Sequence, residues 1–121
     1  MSRQILDESR IHPAVRDRIS SLNGDIVKEV QEAIAANAVV VVGMRQNPMP
    51  KHARKLLDRD NVAYKYLEYG SYLSGWRRRT ALKMWTGWPT FPMVFVRGVL
   101  VGGAEDLARL HASGELKKLL A

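Results

Sequence analysis

No cysteine occurs anywhere in this chain of 121 residues. Disulfides, thiolate metal sites and thiol nucleophiles are therefore excluded, while the redox compartment stays open. A long hydrophobic run is missing too. The most apolar stretch, Ala33 to Gly43, is interrupted by Asn37 and too short to span a bilayer, so no membrane partner is expected. The N-terminus, Met1-Ser2-Arg3-Gln4 followed by Asp7-Glu8-Ser9-Arg10, has no apolar core of a signal peptide, and a cytoplasmic address is the expectation. Histidines are not clustered: His12, His52 and His111 fall on three separate elements without metal-ligand spacing, so no metal site is expected. Internal repeats and low-complexity tracts are absent.

The apolar fraction, 46%, suffices for one compact domain. The formal charge of +7 is unevenly placed: residues 1–38 carry five Lys or Arg against six Asp or Glu, and residues 39–121 carry fourteen against six. Such an excess keeps a small protein soluble and also attracts anionic ligands or an acidic partner. Apart from Arg77-Arg78-Arg79 the basic residues are scattered, and no DNA- or RNA-binding motif accompanies them, so nucleic acid is not expected.

Residues 1 to 22 are polar and form an extension in which Ala14 to Leu22 predicts a short amphipathic turn or two. From Asp25, the helical spacing of Ile26, Val27, Val30, Ala33 and Ile34 predicts a helix capped by Asn23 or Asp25. The β-branched run Val39 to Val42 predicts a central strand buried on both sides. Pro48 and Pro50 fit a helix start before Lys51 to Arg59. Val62, Tyr64 and Tyr66 alternate as a second strand. A loop with Gly70 and Gly75 precedes a helix from about Ser74 to Trp85. Met93 to Val96 and Val99 to Val101 predict a hairpin across Arg97-Gly98. Two closing helices run from about Ala104 to His111 and from Glu115 to Leu120. A βαβ unit followed by a hairpin implies a mixed sheet.

The segment Trp88-Pro89-Thr90-Phe91-Pro92-Met93-Val94-Phe95-Val96, then Gly98, Val101-Gly102-Gly103 and Ser113-Gly114-Glu115-Leu116, resembles the monothiol glutaredoxins almost position for position. Thr86-Gly87-Trp88 stands where they carry Ser/Thr-Asn-Trp. The match runs from Asp25 to the end, about four-fifths of the chain. It implies an α/β, thioredoxin-like (glutaredoxin) fold: a four-stranded mixed sheet flanked by helices in a domain of residues 23–121. An N-terminal helical extension, residues 1–22, would precede it.

The resemblance breaks at Asn47-Pro48-Met49-Pro50, which falls where dithiol glutaredoxins place Cys-Pro-x-Cys. Asn47 holds the nucleophile position and Pro50 the resolving one. Asn cannot attack a disulfide, and Pro has no amide proton for a thiolate, so thiol–disulfide exchange is excluded. Iron–sulfur ligation by the family's single cysteine is excluded as well. No catalytic residue is expected and no cofactor is required.

What the resemblance leaves is a ligand groove. Pro92 would be the family's cis proline of the Thr90-Phe91-Pro92 element, presenting the Phe91 backbone to the cysteinyl part of glutathione. Gly103, Ala104 and Glu105 open a helix whose free amides would hold the γ-glutamyl end. Arg79, matched by its distance from Trp88-Pro89, would grip the glycine carboxylate as an exposed guanidinium. Met44 replaces the family lysine after the first strand, and Arg45 or Lys51 are the accessory cations available. Met44, Met49 and Met93 fill core gaps or surround the emptied site. Trp76, Trp85, Trp88, Tyr66, Tyr69 and Tyr72 crowd the region after strand two, with two or three expected at the edge of the groove.

Two functional classes follow. The first is a redox-inactive protein that binds glutathione or a related γ-glutamyl or peptide anion. The second is an interaction domain that uses the groove and its basic rim to hold a glutathionylated or acidic protein partner, with no small-molecule ligand.

Overall fold

Four consecutive valines decide the centre of the molecule. The structure, a computed structural model, describes residues 3–121. In it Val39 to Val42 enter β1 (Val39–Gly43), a strand with every residue buried. Successive strand side chains point to opposite faces, so Val40 and Val42 join one apolar cluster while Val39 and Val41 join the other. A strand covered on both sides has no polar positions to alternate, which is why its sequence is an unbroken apolar run.

β1 pairs in parallel with β2 (Lys65–Glu68) and antiparallel with β3 (Met93–Val96). β3 turns antiparallel into β4 (Val99–Gly102), and the order across the four-stranded sheet is β2-β1-β3-β4. Arg97 and Gly98 make the hairpin turn with φ of 52° and 79°, the left-handed pair that matches strand twist. Because β1 and β2 run one way and β3 the other, residues 44–47, 69–75, 90–92 and 103–105 all emerge at the same end of the sheet.

Helices cover both faces. On one side α2 (Gly24–Ala36) and α4 (Trp76–Thr86) bury Ile26, Val30, Ala81 and Leu82 against Val40, Val42, Met93 and Phe95. On the other, α3 (Pro48–Arg59), α5 (Ala104–Ser113) and α6 (Glu115–Leu120) bury Ala53, Leu57, Leu107 and Leu116 against Val39, Val41, Val94 and Val96. α3 lies so close to β1 that a Cβ on Gly43 would sit 2.8 Å from both the Pro50 Cβ and the Tyr66 hydroxyl. Glycine is needed there for that approach.

Some boundaries differ from the sequence expectation. The extension holds a 3-10 turn at Glu8–Arg10 and a nine-residue helix, α1 (Pro13–Ser21), longer than the turn or two predicted. Pro13 fixes its first turn and the His12 Nδ1 accepts the Ala14 amide at 3.0 Å, so this histidine is a helix cap. Arg3 ties the extension down by donating to the Thr86 carbonyl at 2.7 Å. Asn23 occupies the cap position of α2 but with φ of 50° and no side-chain hydrogen bond. The second strand begins at Lys65, so Val62 and Tyr64 run up to it and lie outside it. α4 starts at Trp76 because Gly75 is left-handed at φ 75°. Among the described residues no helix is long and apolar enough to cross a membrane.

Candidate functional site

The start of α3 is short of donors. Pro48 and Pro50 carry no N–H, which leaves the Met49 amide as the one donor among the first three helical residues. Asn47 takes it: its Oδ1 accepts from the Met49 nitrogen at 3.0 Å. The other end of the same carboxamide reaches across the sheet, where Nδ2 donates to the Phe91 carbonyl at 3.2 Å. Asn47 thus caps a helix and fastens it to the segment before β3.

That segment carries a cis peptide bond between Phe91 and Pro92. The Phe91 ring is buried in the cluster that includes Met44 and Met93, with the Lys83 ammonium 5.9 Å from its centre. The Phe91 amide has no hydrogen-bond partner among the described residues.

The start of α5 supplies the third wall. Gly103 is extended (φ −99°, ψ −161°), and its amide donates to the Asp106 Oδ2 at 2.9 Å. Asp106, which sequence reading passed over, is therefore the acid that closes the helix end; its place three residues past the cap was the signal available. Glu105 is exposed and faces Arg109 at 3.6 Å. The Ala104 and Glu105 amides have no acceptor among the described residues, and the helix dipole makes that position favourable for a carboxylate.

These three pieces enclose a cleft of about 370 Å³, within the range of small-ligand sites. Thr90, Phe91, Pro92, Gly103, Ala104 and Glu105 all line it, together with Asn47, Met49, Trp88 and Asp106. The Trp88 Nε1 is buried without a hydrogen-bond partner, an exception to the usual pairing of buried donors.

Arg79, Arg45 and Lys51 are not among the lining residues. The expectation of an exposed Arg79 is corrected: the residue is only 7% exposed. Its Nη1 donates to the Tyr69 carbonyl at 3.0 Å and to the Ser74 carbonyl at 2.6 Å. The physical reason is the turn at residues 70–75, whose inward carbonyls need donors once buried. Arg45 is exposed, with its Nε 3.8 Å from Glu68, a surface pair of little energetic weight. Lys51 and His52 are exposed on α3. Met44 is buried in the core, so it fills space and does not rim the cleft. His111 pairs with Asp60 at the far ends of α5 and α3, away from the helix starts that line the cleft.

Two tyrosines beside this end of the sheet have raised pKa values. Burial pushes the Tyr66 phenol up to about 12, helped by its hydrogen bond to Glu68 at 3.1 Å. Burial also raises Tyr69, whose hydroxyl donates to Glu29. A phenol favoured in its neutral form by the fold stabilises the protein fully below its unfolded pKa, near 10. That contribution is lost as pH rises through the folded value. Stability should therefore fall between about pH 10 and 12. Tyr66→Phe should flatten that part of a stability–pH curve and remove one late-titrating phenolate from the absorbance titration.

A parallel-plus-hairpin sheet between two helical layers, with a cis-proline segment facing two helix N-termini, defines the thioredoxin-like class. Within that class the assignment is specific. The glutaredoxin family model matches residues 39–101. A glutaredoxin-like protein of Dictyostelium discoideum is 47% identical over 98 residues, which is 81% of this chain and 80% of that protein. A glutaredoxin of Ricinus communis is 36% identical over 92 residues, 76% of this chain and 90% of its own length. A buckwheat glutaredoxin–glutathione complex superposes with a TM-score of 0.73 at 26% identity, over 83% of this chain and 91% of that one. The chain belongs to the glutaredoxin family, and it does so without a cysteine.

Proposed function

We propose that this protein is a redox-inactive glutaredoxin that binds glutathione, or a related γ-glutamyl or peptide anion, without covalent chemistry, at a cytoplasmic address. The observation that carries this reading is the pair of free amides at Ala104 and Glu105, opening into a cleft whose other wall is the Phe91–Pro92 segment. A family relative, the buckwheat protein, is a glutathione complex. Thiol–disulfide exchange needs an attacking thiolate, and this chain supplies none. Catalysis is therefore not part of the proposal.

Calorimetric titration with reduced glutathione tests it, and Ala104→Pro is the informative variant. Proline is well tolerated at the first helical position, and Gly103 already has the extended backbone that must precede it. The substitution deletes one amide donor and puts the ring Cδ in place of its hydrogen, so both changes fall at the cleft. Loss of a charge-assisted hydrogen bond should weaken binding about tenfold while the circular dichroism spectrum stays unchanged. No heat from the unsubstituted protein with either reduced or oxidised glutathione would remove the ligand reading.

A further inference from the structure

Three large apolar side chains stand in solvent within five residues: Tyr72 at 63%, Leu73 at 90% and Trp76 at 60% exposed. Single exposed hydrophobics are ordinary, but a cluster of this size on one turn marks a contact surface. The turn that carries them is held rigidly. Ser71 and Ser74 exchange backbone hydrogen bonds at 3.0 and 3.2 Å, and the Leu73 amide donates to the Ser71 hydroxyl at 3.2 Å. The Gly70 carbonyl accepts from the Arg45 amide at 2.8 Å, and the buried Arg79 holds the carbonyls on either side. A surface fixed in advance loses little conformational entropy when it is covered.

Acidic side chains from other elements reach this region, where Asp25 of α2 pairs with Arg78 at 3.2 Å, but the turn itself lies in a basic stretch of chain and Arg77 stays outside those pairs. From Tyr69 to Ala104 the chain carries five basic residues and no acidic one. The Arg77 guanidinium lies 5.3 Å from the Trp76 ring centre. Among the described residues no carboxylate lies within ion-pair distance of Arg77 or Lys83. The first turn of α4 is capped by Gly75 with no side-chain hydrogen bond, so its amides lack an internal acceptor.

We propose that the 71–77 turn is a docking surface for a partner-protein segment that combines acidic and apolar side chains. Its apolar residues would cover Leu73 and Trp76. A carboxylate would meet Arg77 and the uncapped first turn of α4, completing charges that this chain leaves unanswered. Trp, Tyr and Arg are the residues that dominate such contacts energetically. The turn leaves the same end of the sheet as the cleft but contributes no residue to its lining, so the proposal does not depend on glutathione binding.

Selection of a random phage-displayed peptide library on the immobilised full chain tests it. Recovered sequences should be enriched in Asp or Glu next to Leu, Phe or Trp. Synthesised and titrated by fluorescence anisotropy, they should lose at least about 30-fold in affinity against a Leu73→Ser, Trp76→Ser double variant. Charge reversal by Arg77→Glu should cost about tenfold. Both changes are at exposed positions and should leave thermal unfolding and glutathione titration unchanged. Failure to recover peptides, recovery of basic ones, or binding that survives the double variant would overturn the proposal. So would capture by phosphatidylserine vesicles that is lost in that variant while no peptide binds, which would assign the turn to a lipid surface.

Discussion

Arg79→Ala should lower the thermal midpoint of this protein by roughly 10 °C or more. The guanidinium makes two charge-assisted bonds to backbone carbonyls, those of Tyr69 and Ser74, in a largely buried position. Removing it leaves the Tyr69 carbonyl without a donor and the Ser74 carbonyl with the Ser71 amide alone, at a cost of about 3 kcal/mol. Arg79→Lys should fall between the two, since one ammonium reaches one carbonyl well and the second poorly. Arg77→Ala, two residues away and exposed, should leave the midpoint within the error of the scan. Differential scanning fluorimetry of the three variants decides it. An Arg79→Ala protein that melts like the parent and has lost only its affinity for glutathione would restore the carboxylate-clamp role that the family resemblance suggested.

Asn47→Cys should give this cysteine-free chain a single reactive thiol. The parent should show no glutathione-dependent reduction of a small mixed disulfide above buffer, because nothing in it can carry the intermediate. The introduced sulfur would inherit the Met49 amide, the start of α3 and the neighbouring Arg45 and Lys51 charges. A thiol pKa lowered by about one unit raises the thiolate fraction at neutral pH about eightfold. The accompanying drop in nucleophilicity removes a factor of about three, so iodoacetamide should react roughly threefold faster than with free cysteine. The effect is held to that size because Pro48 and Pro50 withdraw two of the amides that a helix start normally offers. Alkylation slower than free cysteine would show that position 47 is not the electropositive helix start described.

The backbone plan was legible because its signals were local and redundant. Four valines in a row define a strand buried on both faces, and Arg97-Gly98 between two apolar runs defines a hairpin. Most of the cleft was legible for another reason: Thr90, Phe91, Pro92, Gly103, Ala104 and Glu105 are near-backbone features whose position follows from chain order. Arg79 was not, because a guanidinium can face water or carbonyls and the choice rests on which turn packs beside it. Helical spacing did contain the answer, since Arg79, Leu82 and Thr86 share the inner face of α4, but an arginine in that row reads as an exception. Asn47 shows the opposite limit. Its replacement of a nucleophile was plain in the sequence, whereas its reach to Phe91 needed the distance between two segments that are far apart in the chain.

The carboxamide of Asn47 also bears on the history open to this chain. Its oxygen serves one wall and its nitrogen the other, so each neighbouring genotype gives something up. Aspartate would set a carboxylate against the Phe91 carbonyl, and serine would keep the cap but fall short of the crossing. Cysteine would forfeit both, and no single base change leads from an asparagine codon to a cysteine codon; the path runs through serine or tyrosine. Asparagine alone among these serves both walls at once, and any stepwise route from it to a thiol at this position passes through an intermediate that fastens them less well.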